Sequence, residues 1–253
     1  MSSAFPREAI QTLLLSLADD ELMLGHRDSE WTGYGPLLEE DIAFSNIAQD
    51  ELGHSLVWYS LYEQLTGSSP DVMAFERVWS DYTCCRFVTY PKGDFAFTVV
   101  RQFLFDVAEQ VRLSSFAHST YLPIKDASVK ILREEAYHLM HSQGLLEPLG
   151  DATEESHRRM QAAVDEAFPQ ALGMFEPLDR EEELIAAGVF VGNGSLQREW
   201  QAKVVPVLTS ASLSVSVTVP ADVGGRKGNH TQHLKHLVDD LQAVYRIAPG
   251  AKW

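Results

Sequence analysis

The chain has 253 residues, 45% of them apolar and 22% charged, with a formal net charge of −16. That length suits one large domain and a substantial core, and the composition is that of a soluble globular protein. The acid excess argues against nucleic acid as a partner, because a polyanion needs a basic face. The longest apolar stretches stop well short of the ~20 residues that span a bilayer, so no membrane span is expected. The first eight residues, Met1 to Glu8, lack the basic segment, hydrophobic run and cleavage site of a secretory signal. The expected compartment is therefore the cytoplasm. Cys84 and Cys85 are the only cysteines. As neighbours they are badly placed for a disulfide with each other, and they read as small buried apolar residues of a reducing compartment.

Helical periodicity dominates the first ~170 residues, so the fold is expected to be all-α. The first helix is predicted from Arg7 to about Trp31, with Leu14, Leu17, Ala18, Glu21 and Leu24 on one stripe. Gly33-Tyr34-Gly35-Pro36 breaks the chain, and the second helix runs to about Leu65 with Phe44, Ile47, Glu51, His54 and Trp58 on its packed face. Residues 71 to 93 form a long crossover containing Trp79, Tyr82, Phe87 and Tyr90, too aromatic for a solvated linker. A third helix follows from about Asp94 to His118, bearing Phe105, Glu109, Leu113 and Phe116. Pro123 marks the turn into a fourth, which carries Ile131, Glu135, His138 and Ser142 and stops near Pro148-Leu149-Gly150. Further helices are predicted from Glu154 to Phe175, from Leu196 to Val204 and from Thr231 to Tyr245, with a short edge strand over Val215–Val219. The whole is expected to be one domain, with a bundle core over about residues 7–150 and an extension over 151–253.

The chemistry lies in a repeated pattern. Glu51-x-x-His54 and Glu135-x-x-His138 each follow a lone carboxylate on an apolar stripe, Glu21 and Glu109. Residues three apart share a helix face, so a carboxylate and an imidazole can grip one ion. Two helices giving one Glu each and two giving Glu-x-x-His make the ligand set of a dinuclear carboxylate site in a four-helix bundle. Four carboxylates and two imidazoles suit iron, or manganese, better than structural zinc. Against the alternative of solvated acids and hydrogen-bonded histidines stands the rarity of charge on an apolar stripe unless paired or metal-bound. Counting helical rise, Glu109 and Glu135 fall at matching heights, whereas Glu21 and Glu51 differ by roughly 7 Å. Glu21 is accordingly the least secure ligand.

Asp50 and Glu134 each precede a motif glutamate and are candidates to hold the second ring nitrogen of a ligating histidine, fixing its tautomer. Asp19 and Asp20 read as capping or solvated residues. The loop Gly224-Gly225-Arg226-Lys227-Gly228 offers backbone N–H groups and two cations before a helix, so Arg226 and Lys227 are candidate contacts for a phosphate or other anion, or the segment is simply a mobile loop. It lacks the P-loop pattern. His230, His233 and His236 recur every three residues without a carboxylate and read as partner contacts or local structure.

Several longer stretches are more specific. Gly25-His26-Arg27-Asp28-Ser29-Glu30-Trp31, Glu40-Asp41-Ile42-Ala43 with Asn46-Ile47, and Pro91-Lys92-Gly93-Asp94-Phe95 with Arg101-Gln102 are three of them. Glu134-x-x-x-His138, Gly225-Arg226-Lys227-Gly228-Asn229-His230-Thr231 and Pro249-Gly250-Ala251-Lys252-Trp253 complete the set. Together they resemble the C-type family of the bacterial phenylacetyl-CoA epoxidase subunits over essentially the whole chain. The resemblance implies a ferritin-like helical subunit of a multicomponent monooxygenase in phenylacetate breakdown. Its partners would be a catalytic A-type subunit, which holds the di-iron centre, a reductase drawing on NADPH, and an acyl-CoA substrate. It also implies a C-type chain that has lost its metal ligands. Here all six positions, Glu21, Glu51, His54, Glu109, Glu135 and His138, hold competent residues, and the chain departs from that pattern.

Overall fold

The computed structural model describes residues 5–249 and residue 251, so Gly250, Lys252 and Trp253 of the closing motif lie outside the described residues. Regular structure among the described residues is entirely helical, as the ferritin-like class requires. The helices are α1 (Arg7–Ser29), α2 (Leu38–Thr66), α3 (Pro70–Phe75), α4 (Phe95–Phe116), α5 (Leu122–Asp151), α6 (Glu154–Ala171), α7 (Glu181–Ala186), α8 (Asn193–Ser210) and α9 (Gln232–Ile247). Short 3-10 turns cover Trp79–Asp81, Phe87–Thr89, Leu172–Phe175 and Gly225–Lys227. None of the helices is long and apolar enough to cross a membrane.

The chain divides into two compact units, one holding Ile10–Pro91 with the segment from Gly224 onward, the other Lys92–Val223 with the residues up to Ala9. The first unit is built on the α1/α2 hairpin. A Cβ at Gly25 would lie 3.0 Å from the Glu51 Cβ and 3.1 Å from the Ala48 carbonyl, so glycine lets the two helices close up there. The Ser55 hydroxyl donates to the Ala18 carbonyl at 2.9 Å and clamps them about two turns further along α1. The expected height mismatch between Glu21 and Glu51 is absent, and the connection explains why. Turn bonds from Glu30, Trp31, Thr32 and Tyr34 carry the chain onward past Ser29. Counted from Tyr34 and from Leu38, Glu21 and Glu51 are then each thirteen residues from the bend.

Asp19 and Asp20 are buried rather than solvated. A buried carboxylate needs hydrogen bonds and a countercharge. Asp19 accepts from the Thr83 N–H at 2.6 Å, the Tyr59 hydroxyl at 2.5 Å and the Arg77 guanidinium. Asp20 accepts from the Cys85 N–H at 2.7 Å and from Arg226 at 2.5 and 2.8 Å. The two acids thus fasten the crossover and the glycine-rich loop to α1, which is how Tyr82, Phe87 and both cysteines come to be buried. The glycines of that loop serve close approach: a Cβ at Gly225 would meet the Cys84 carbonyl at 2.4 Å. Helix α9 completes the unit through Gln242, whose amide donates to the Arg77 carbonyl at 2.8 Å, and through Tyr245 stacked on Phe75. His233 packs beside the Tyr90 ring.

The second unit wraps α4 with α5, α6 and α8. Asp94 caps α4 through the Phe97 N–H, and eighteen residues of this helix are buried. The Trp200 indole donates to the Leu104 carbonyl at 2.8 Å and stacks with Phe168 at 5.2 Å, so residues beyond 151 form part of this core. Helix α5 passes through Pro148 and ends at Asp151, within a residue of the expected stop over Pro148-Leu149-Gly150, because proline withholds only its own N–H while its carbonyl still accepts from Ala152 at 2.9 Å. One expectation fails here. Residues 215–219 form no strand, since no second strand exists among the described residues to complete a ladder. Ser216 and Thr218 pair their hydroxyls locally instead.

Burial pushes the His230 pKa below its ordinary 6.5, outweighing the bond to the Tyr82 carbonyl and the nearby Asp19, which both act upward. The folded state therefore binds this proton less readily than the unfolded chain. Its contribution to stability is complete above pH 6.5 and is lost as pH falls below that value. Thermal unfolding followed from about pH 5 to about pH 8 should show Tm declining on the acid side. His230→Gln should flatten that slope, leaving the part due to His26, whose pKa burial also lowers.

Candidate metal centre

In the first unit, α1 supplies Glu21 and α2 supplies Glu51 and His54. All three are buried, and one ligand atom from each lies within 4.8 Å of the others. Glu51 Oε2 and His54 Nδ1 are 3.6 Å apart, as the three-residue spacing leads one to expect. Two carboxylates and an imidazole, excluded from water and aimed at one point, make a donor set that can hold a metal ion. Asp50 is half-buried on α2, and Trp58 is fully buried one turn beyond His54.

In the second unit, Glu135 and His138 on α5 are both fully buried, with Glu135 Oε1 and His138 Nδ1 3.3 Å apart. Glu134 is exposed on the same helix. Sequence reasoning missed two residues of α4. Asp106 is fully buried with an oxygen within 4.8 Å of a His138 ring nitrogen, and it accepts from the Ser142 hydroxyl at 2.6 Å and the Gln102 amide at 2.7 Å. Arg112 is buried in an ion pair with Glu109, three residues before it. The signal was present in the spacing, since Asp106, Glu109 and Arg112 recur every three residues on the stripe that holds Phe105 and Phe116. As a metal-binding set the fit is partial: Glu135 and His138 have the right chemistry, whereas Glu109 already serves a guanidinium.

The basic loop is differently disposed from the anion contact expected of it. The Arg226 side chain is 4% exposed and engaged by Asp20, whose attraction outweighs burial and raises the arginine pKa. Lys227 is exposed.

The geometry gains a family context from known proteins. The family described as phenylacetic acid catabolic protein matches residues 2–253. The chain belongs to this family. It is 32% identical to the C subunit of 1,2-phenylacetyl-CoA epoxidase from Escherichia coli (strain K12) over 240 residues, covering 94% of this chain and 97% of that protein. A second relative is the A subunit of the same epoxidase, from the same organism. It is 27% identical over 152 residues, covering 60% of this chain and 49% of that protein.

Arg226→Ala would strand the buried Asp20 charge and is expected to lower stability by about 3–5 kcal/mol in denaturant unfolding. Lys227→Ala should leave the unfolding midpoint unchanged within about 0.5 kcal/mol.

Proposed function

We propose that this chain is the C-type subunit of a phenylacetyl-CoA epoxidase, a multicomponent di-iron monooxygenase of phenylacetate breakdown, acting as the helical partner of an A-type subunit. The observation that carries this reading is the full-length similarity to the C subunit of such an epoxidase, which extends over 97% of that protein. A solitary ferritin-like oxidase fits less well, because both of these relatives are subunits of one enzyme.

Within this reading Glu21, Glu51 and His54 hold a metal ion, with iron favoured by the hard, oxygen-rich donors and manganese the alternative. Bound iron would supply dioxygen activation, fed by a separate reductase. Glu109, Glu135 and His138 are the corresponding residues of the other half of the sequence pattern. Asp50 and Glu134 are assigned to orient the motif imidazoles. Buried Trp58, Phe105 and Phe116 keep water from the polar sets. Lys227, exposed on its loop, is the cation assigned to the anionic CoA ester.

A partner surface is supported by α2. Leu38, Ile42, Leu52 and Leu56 are 72%, 53%, 39% and 55% exposed, and at 100° per residue they lie within one narrow stripe. An apolar stripe left in water on a helix whose other face is packed marks a docking surface. The A-type subunit is its assigned occupant. One observation favours a second reading, that of a partner with no catalytic metal of its own: the Arg112–Glu109 ion pair.

Co-expression with an A-type subunit is expected to yield a complex that survives gel filtration, and Ile42→Arg with Leu56→Arg should weaken it at least about 10-fold in Kd. A chain that stays solitary, or a reconstituted system that turns over phenylacetyl-CoA equally well without it, overturns the reading. Protein from iron-replete cells should carry stoichiometric iron or manganese that Glu51→Ala removes, and its absence by elemental analysis would sink the metal assignment.

A further inference from the structure

In three of the four ligand-bearing helices the position three residues after the motif glutamate is cationic or can become so: His54 after Glu51, His138 after Glu135, and Arg112 after Glu109. The two imidazoles can serve as metal ligands, because a neutral ring nitrogen donates a lone pair. A guanidinium has none to give: it carries a permanent charge and only donor hydrogens. Arg112 and Glu109 have side chains 3% and 1% exposed, and the Nη1 group donates to Glu109 Oε1. This is a buried ion pair, and it is the arrangement a second metal ion would have to displace. A divalent cation drawing on Glu109 would stand beside a fixed positive charge in a site that water does not screen.

We infer that Arg112 is an internal cation that takes the place of a second metal ion on Glu109, so that this chain binds one divalent metal, at Glu21, Glu51 and His54, and not two. This rests on the ligand reading proposed above for those three residues. Glu109 is then neutralised by protein rather than by metal. Removing the guanidinium leaves that buried carboxylate without its countercharge and open to an added cation.

The test is metal stoichiometry by elemental analysis after anaerobic equilibrium dialysis against Mn²⁺ or Fe²⁺, combined with thermal unfolding in the presence and absence of the ion. The wild-type chain should bind one ion. Arg112→Met should bind two, have a lower Tm than wild type without metal, and gain more Tm on adding Mn²⁺ than wild type does. Arg112→Lys, which keeps the charge, should fold and stay at one. The double variant Glu109→Gln with Arg112→Met removes both partners and should also stay at one, which keeps the inference testable if Arg112→Met alone fails to fold. Two ions on the wild type overturn the inference. So does one ion on both wild type and Arg112→Met, which leaves the Glu21, Glu51 and His54 assignment standing. No ion on the wild type but one on Arg112→Met, lost again with Glu135→Ala, upholds the role of Arg112 and overturns the other ligand reading.

Discussion

A carboxylate taken out of water must be given a countercharge, and α1 buries three in succession. Asp19, Asp20 and Glu21 are each at most 1% exposed, and successive helical positions turn them 100° apart. Their partners consequently lie in three directions. Asp19 gathers Arg77, Thr83 and Tyr59, Asp20 gathers Cys85 and Arg226, and Glu21 faces Glu51 and His54. The first two commitments fix the crossover and the glycine-rich loop against α1. With α1 held on those sides, Glu21 is left facing Glu51 and His54 on α2.

The two halves of the sequence pattern solve the same electrostatic problem by different means. Around Glu21 the acids converge with an imidazole, an arrangement that a divalent ion would neutralise. Around Glu109 the protein supplies the cation itself in Arg112, and Asp106 is satisfied by Ser142 and Gln102. A repeated motif therefore does not imply a repeated site. One arginine, three residues along a helix, is enough to change what the second set can hold, because a guanidinium competes for the carboxylate that a metal would need.

Legibility in the sequence followed interaction range. The stripes of α1, α2, α4 and α5 and the Glu-x-x-His spacings are local, so both the helices and the pairing of Glu51 with His54 and of Glu135 with His138 could be read directly. The strand over 215–219 was misread because β-propensity has no effect without a partner to pair with. Asp19, Asp20 and Arg226 were assigned to solvent or to an anion because nothing local reveals partners separated by 40 residues, as Asp19 and Tyr59 are, or by 206, as Asp20 and Arg226 are.

The sequence by itself determined the helical class, the family, and the inventory of carboxylates and imidazoles. Those depend on periodicity and on residue identity at fixed short spacings. Only the tertiary structure decided that Glu21 reaches the height of Glu51, that Arg226 is spent on Asp20, and that Glu109 is held by Arg112. Each of these depends on which groups are removed from water together, and burial is a property of packed elements rather than of any one segment.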